Sequence, residues 1–166
     1  MRHQAVFTKN PANKHLHVTR AYDAPLDKVW KAWTERNILD QWWGPKPWRA
    51  ETKTFDFEPG GFWHYSMVGP NGETHWSLVE FKAIVPHHSF SADCVFSDEN
   101  GTPNTAFPVM RWHVEFFATP AGSRVEVTLS FDSEEGLNQI VEMGFQGGFT
   151  MGLNQLEELL EEMLVV

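Results

Sequence analysis

A single cysteine, Cys94, stands in a chain of 166 residues, so no intramolecular disulfide framework can staple it. Basic residues are also short: Lys+Arg number 13 against 22 for Asp+Glu, a formal net charge of -9. That balance repels a phosphate backbone and removes nucleic acid from the expected partners. No window approaches eighteen consecutive apolar residues, and the N-terminal MRHQAVFTKNPANKH lacks the apolar core of a secretory signal. Neither a membrane partner nor secretion is therefore expected, and the expectation is a cytoplasmic protein. Internal repeats, low-complexity runs, a Gly-x-Ser-x-Gly elbow and a Gly-rich phosphate loop are absent as well. Tyrosine is scarce at 2 residues, whereas Phe numbers 13 and Trp 8. That excess of rings without a phenol suits either a large core or an aromatic-lined pocket.

At this length one domain, 14–166, is expected behind a short polar leader, 1–13. Alternation and β-branched residues over 15–22 predict a strand, and Asp23-Ala24-Pro25 then reads as a helix start, with Pro near the first helical position. Val29, Trp30 and Trp33 form the apolar face of that helix. Thr34 is placed to cap a second short helix in which Ile38, Leu39 and Trp42 fall at inward spacing before Gly44-Pro45 ends it. Trp42 and Trp43 are adjacent, and successive residues on a regular element point in different directions. One of the two is expected to face a cavity, a mouth or a partner.

Six further strands are predicted at 49–57, 62–68, 74–85, 89–96, 108–118 and 124–131, separated by turns such as Glu58-Pro59-Gly60-Gly61 and Asp98-Glu99-Asn100-Gly101. Their alternation selects one apolar face. Trp63, Tyr65 and Met67 lie on it, followed by Ser77, Val79 and Phe81, then Phe90, Ala92, Cys94 and Phe96, then Met110, Trp112, Val114 and Phe116. A sheet with one apolar face needs a cover, and the C-terminal segment supplies it. Asp132 and Glu135 stand at capping-box spacing. At 100° per residue Leu137, Val141, Phe145, Gly148, Phe149, Gly152, Leu156 and Leu160 share one stripe, with Asn154, Glu158 and Glu161 opposite. One long helix is predicted. Its interior glycines each cost about 1 kcal/mol relative to alanine. Gly148 and Gly152 therefore either let the helix press on its neighbour or leave unfilled volume beneath it.

Four segments in order, VTRAYDAPLDKVWKAWTE, WWGP, EPGGFWHYSMVGPNG and the GFxxGFxxxLxxLxELL pattern over 144–160, closely resemble the Hsp90 ATPase activator homologue family of the START-like (SRPBCC) superfamily. The resemblance covers roughly residues 16–164. Two departures stand out: a Trp is usual where Phe149 sits, and the loop over 97–107 is longer than the family's common form. The resemblance implies an α+β helix-grip (START/Bet v 1-like) fold, a curved antiparallel sheet around a long C-terminal helix with two short helices after the first strand. It also implies a cavity between sheet and helix that takes a hydrophobic, aromatic or lipid-like small molecule. Some relatives are thought to act as cyclases, hydrolases or stress-related binding proteins, and fold membership does not choose among these.

On that expectation the ligand-contacting residues are Trp42, Trp63, Tyr65 and Met67, with Phe90 and Trp112 from later strands and Phe145, Gly148, Phe149 and Gly152 from the helix. Trp63, Tyr65 and Met67 read equally as ordinary core. His75 and Ser77 would put polar groups on the apolar face, where each needs a partner from protein, water or ligand. His75 beside Tyr65 is the one candidate acid–base pair, with a satisfied internal hydrogen bond or a water-exposed strand start as the alternative. His64 is expected on the outer face with no role. His15 with His17, and His87 with His88, lack a third ligand at a recognisable spacing, so no metal site is expected, and no cofactor. Cys94 reads as a small buried hydrophobe. Apolar residues left over at the helix ends are compatible with a homodimer. Hsp90 is not an expected partner, because the activators carry a further N-terminal domain for which this chain has no length.

Overall fold

Eight strands form one antiparallel sheet in the computed structural model, which describes residues 3–10, 12 and 14–164. In chain order the elements are β1 (Val6–Asn10), β2 (His15–Tyr22), α1 (Leu26–Thr34), α2 (Arg36–Trp42), β3 (Arg49–Phe55), β4 (Phe62–Val68), β5 (Thr74–Val85), β6 (Ser89–Ser97), β7 (Met110–Thr119), β8 (Gly122–Ser130), α3 (Glu134–Glu142) and α4 (Phe145–Leu164). The sheet order is β1-β2-β8-β7-β6-β5-β4-β3. From β3 to β8 neighbours in sequence are neighbours in the sheet, as the hairpin turns predict. The sheet curves round the helices, which is the helix-grip architecture that the motifs imply.

The expected leader is only partly a leader. Val6 to Asn10 pair antiparallel with β2, Val6 opposite Thr19 and Asn10 opposite His15. Four of these five residues are exposed and Phe7 is the exception, so an edge strand with so little buried surface leaves no alternation to read. Residues 1, 2, 11 and 13 of that leader lie outside the described residues, as do 165 and 166.

The predicted single C-terminal helix is two helices. Gly144 takes φ +89°, a left-handed conformation that breaks the chain between α3, which ends at Glu142, and α4, which begins at Phe145. The start also differs from the expected capping box. Ser133 is the N-cap, its Oγ accepting from the Gly136 N–H at 3.0 Å, while Asp132 instead pairs with Arg111 at 2.7 Å. Thr34 does not cap α2. Its Oγ1 donates back to the Trp30 carbonyl at 2.7 Å, and Glu35 takes the cap position without a side-chain bond.

Burial follows the predicted parity, with Trp63, Val79, Phe81, Ala92, Trp112, Val114, Val127 and Leu16 packed under the helices. Polar side chains break it on both faces of the sheet. Arg20, on the inward row of β2, is buried beside Glu157 of α4, and Asn154, expected on the outer face of that helix, accepts from Arg20 Nη1 at 2.7 Å. His64 is on the outer side of the sheet, as expected, yet it too is buried. The loop after β6 folds over it, bringing the Asp98 carbonyl to 3.1 Å from Nε2, and its ring lies 4.8 Å from Trp76. The long 97–107 loop thus shields part of the outer face.

Candidate ligand-binding site

The site is built on β4. Alternation after the Gly60-Gly61 turn puts Trp63 and Tyr65 on the concave face, where their rings stack at 4.3 Å and 28°. Register places Tyr65 between Thr52 of β3 and Ser77 of β5, and Trp63 between Phe55 and Val79. Above them sits Trp43, the first residue past α2. Its Nε1 donates to Tyr65 Oη at 2.9 Å, and its ring lies 5.3 Å from Trp63, 5.8 Å from Trp33, 5.7 Å from Trp112 and 6.2 Å from Phe149. Most of these contacts are edge-to-face, the arrangement that ring quadrupoles favour.

Beside Trp43 lies a cavity of about 30 Å³. Its wall is Trp33 and Leu39 from α1 and α2, Trp43, and the inward residues of β4 to β7: Trp63, Val79, Phe81, Phe90, Ala92, Cys94 and Trp112. A void of this size has room for a water molecule or two, whereas sites for drug-sized ligands measure about 300–1,000 Å³. Nine of the ten lining residues are buried and Trp43 alone is half-buried. Trp43, at the end of α2, is the one lining residue that keeps some exposure to solvent.

Both titratable groups here are held protonated at neutral pH. Burial pushes the Cys94 thiol up to about 12, with the neighbouring Asp93 charge adding to it. Burial also raises the Tyr65 phenol well above its usual value and Cys94 raises it further, against hydrogen bonds from Trp43 and Ser77 that favour the charged form. His75 does not join them. It is exposed at the start of β5, paired in register with Met67, and its ring lies 5.6 Å from Trp48. The candidate acid–base pair is therefore not assembled: Tyr65 turns to Trp43 and Ser77, and the strand-start alternative describes His75.

Of the other expected contacts, Trp63, Phe90 and Trp112 line the cavity. Tyr65 and Ser77 lie outside the wall, Tyr65 accepting from the wall residue Trp43 and Ser77 standing opposite Tyr65 in register. Phe145 and Phe149 back it from α4, at 6.1 and 5.5 Å from Trp112, and Met67 is half-buried outside the wall. Trp42 is not a wall residue. It is fully buried, and its Nε1 donates to the Ala32 carbonyl at 2.9 Å, so Trp43 takes the role assigned to it. Trp33 was legible only as the apolar face of α1, since nothing in its spacing separates a wall residue from a core one.

Gly148 and Gly152 do not hollow out the space under α4. A Cβ on Gly148 would meet only Pro45, at 3.9 Å, and one on Gly152 would meet the Trp42 carbonyl oxygen at 3.4 Å. Gly152 marks a close approach between α4 and the end of α2. Leucine there should cost about 1–3 kcal/mol by overpacking, read as a lower urea midpoint, whereas Gly148→Leu should be tolerated. Equal midpoints for the two variants would contradict this placement.

His17 is held locally, Nδ1 3.1 Å from Thr128 Oγ1 and Nε2 3.3 Å from Glu126. Among the described residues no three His, Cys, Asp or Glu side chains group to hold a metal ion, and no helix is long and apolar enough to cross a membrane.

Comparison with known proteins agrees with the motifs. The family model described as activator of Hsp90 ATPase homolog 1-like protein matches residues 23–161. Protein Ms6760 from Mycobacterium smegmatis is 30% identical, with a TM-score of 0.87 over 93% of this chain and 96% of that one. A protein from Arthrobacter aurescens is 28% identical, with a TM-score of 0.89 over 95% of this chain and 91% of its own. Protein NE0264 from Nitrosomonas europaea is 26% identical, with a TM-score of 0.78 over 93% and 99%. No curated protein matches. With a family model spanning most of its length and its own strands wrapped round the C-terminal helix, the chain belongs to the activator of Hsp90 ATPase homolog 1-like family.

Proposed function

We propose that this protein binds a flat, apolar aromatic small molecule in the chamber between β4–β7 and the helices, admitted when Trp43 swings out. One observation carries the reading: the chamber is walled almost wholly by rings and aliphatic groups, and its single half-buried wall residue, Trp43, stands on the connection between α2 and β3. An apolar chamber with a few polar atoms at one edge is the usual make-up of a small-molecule site. The closed volume of about 30 Å³ requires the indole to move before anything larger than water enters. Binding without turnover is favoured by the chemistry of the wall, whose one ionisable side chain, Cys94, is held protonated by burial.

2-Methylnaphthalene is a suitable probe, followed by tryptophan fluorescence and thermal unfolding. At a concentration one hundred times its Kd it should add about 2.7 kcal/mol, a rise in midpoint of roughly 5–10 °C for a domain of this size. Ala92→Val, which pushes two carbons into the void between Phe81 and Trp112, should weaken that binding about tenfold while stability stays within about 1 kcal/mol. A flat response to 2-methylnaphthalene, to its hydroxyl analogue 2-naphthol and to larger fused-ring compounds would sink the reading.

A further inference from the structure

We infer that the ligand of this chamber carries a hydroxyl group on its ring and that the Trp43 indole is a stand-in for it; the inference rests on the binding role proposed above. Trp43 occupies the site as a ligand would. A bicyclic ring, surrounded by Trp33, Trp63, Trp112 and Phe149, gives its one donor to Tyr65 Oη at 2.9 Å. Tyr65 is 5% exposed and stands opposite Ser77 in the β4–β5 register. When the indole swings out, its N–H gains water, but the Tyr65 oxygen stays behind under the sheet with one bond lost. Only a donor arriving with the ligand replaces it. An entirely apolar ligand would leave that buried oxygen under-satisfied, which is what a specific site avoids.

A second polar atom points the same way. Trp33 forms part of the chamber wall and is 4% exposed, and its Nε1 has no hydrogen-bond partner among the described residues. A buried donor without an acceptor calls for an oxygen. A ring hydroxyl meets both demands in kind, because it donates and accepts. A methyl ether or a simple hydrocarbon offers one of these or neither.

The test compares 2-naphthol with 2-methylnaphthalene, which have nearly the same shape. Transfer from water favours the methyl compound, so any preference for the naphthol comes from its hydroxyl. Wild-type protein should bind 2-naphthol at least about fivefold more tightly, the worth of one net hydrogen bond. Tyr65→Phe should cut that preference by at least about threefold. On titration with 2-naphthol, one indole N–H resonance, the one missing from Trp43→Phe, should lose its protection from solvent exchange. Equal affinities, a preference that Tyr65→Phe leaves unchanged, or a Trp43 resonance that keeps its protection would each overturn the inference while leaving the chamber's binding role standing. Failure of both probes, with no shift in midpoint or fluorescence, would overturn the two together.

Discussion

Replacing Arg20 with methionine should cost about 3–5 kcal/mol of stability, and adding Glu157→Leu to it should return the protein to at least its original stability. Arg20 stands on the inward row Leu16, Val18, Arg20, Tyr22, all buried, where an apolar residue is the rule. Its Nη1 donates to Asn154 Oδ1 at 2.7 Å and its guanidinium lies 5.4 Å from the Tyr22 ring centroid. The ion pair itself is loose: Nη2 is 3.5 Å from Glu157 Oε1, and neither that oxygen nor Nε or Nη2 has a hydrogen-bond partner among the described residues. Attraction at this geometry repays only part of the desolvation of two charges. Removing one charge strands the other in the core, whereas removing both and filling the space with apolar atoms abolishes the penalty. Urea denaturation of the wild type, both single variants and the double variant closes the cycle, since the coupling is the difference between the double variant and the sum of the singles. A double variant as unstable as either single would show that the pair's own attraction, or its bond to Asn154, outweighs its burial. The pair joins β2 to the Leu153–Glu157 stretch of α4, where Tyr22 also donates to the Leu153 carbonyl at 3.4 Å. Phe145 and Phe149, which back the chamber, precede that anchor on the helix.

This pair marks where the sequence stops being readable. Six hairpin-connected strands follow from turn residues and alternation, because those signals are local. Arg20 has the parity of a buried residue and the chemistry of an exposed one, and only its partner 137 positions away resolves the conflict. Gly144 was hidden for a related reason. The apolar stripe of α3 continues in phase into α4, so a count at 100° per residue passes straight over a break that only the backbone's left-handed turn reveals. β1 escaped because an edge strand with one half-buried side chain has no face to alternate. At the site, inward parity found Trp63, Phe90 and Trp112, yet it also admitted His75. Parity tells which side of the sheet a residue takes; it does not tell how far along the strand the helices still cover it. The glycines of α4 were read against the sheet, whereas Gly152 is fitted to the end of α2, a contact made by residues 109 to 110 positions earlier in the chain.

Trp42→Ala should be the other large loss, about 3–5 kcal/mol from the cavity alone and, for a domain of this size, on the order of 10 °C in midpoint. Trp42 is 0% exposed and packs edge-on to Trp33 at 5.0 Å and to Trp43 at 5.3 Å. Its N–H also has a specific task. Ala32 lies in the last turn of α1, where carbonyls run out of intrahelical partners, and the Trp42 indole supplies the donor. Trp42→Phe separates the two contributions: the ring volume is largely kept, and the unpaired Ala32 carbonyl should then cost about 1–3 kcal/mol by itself. Since that carbonyl and the close approach of Gly152 both meet at Trp42, the α1–α2 corner and α4 should loosen together, seen as faster amide exchange in all three helices of Trp42→Phe. Trp43→Phe should leave those amides protected, because the bond it removes runs to Tyr65 on the sheet. If the two variants loosened the same amides equally, the division of labour between the adjacent tryptophans, one fastening the helices and one closing the chamber, would fail.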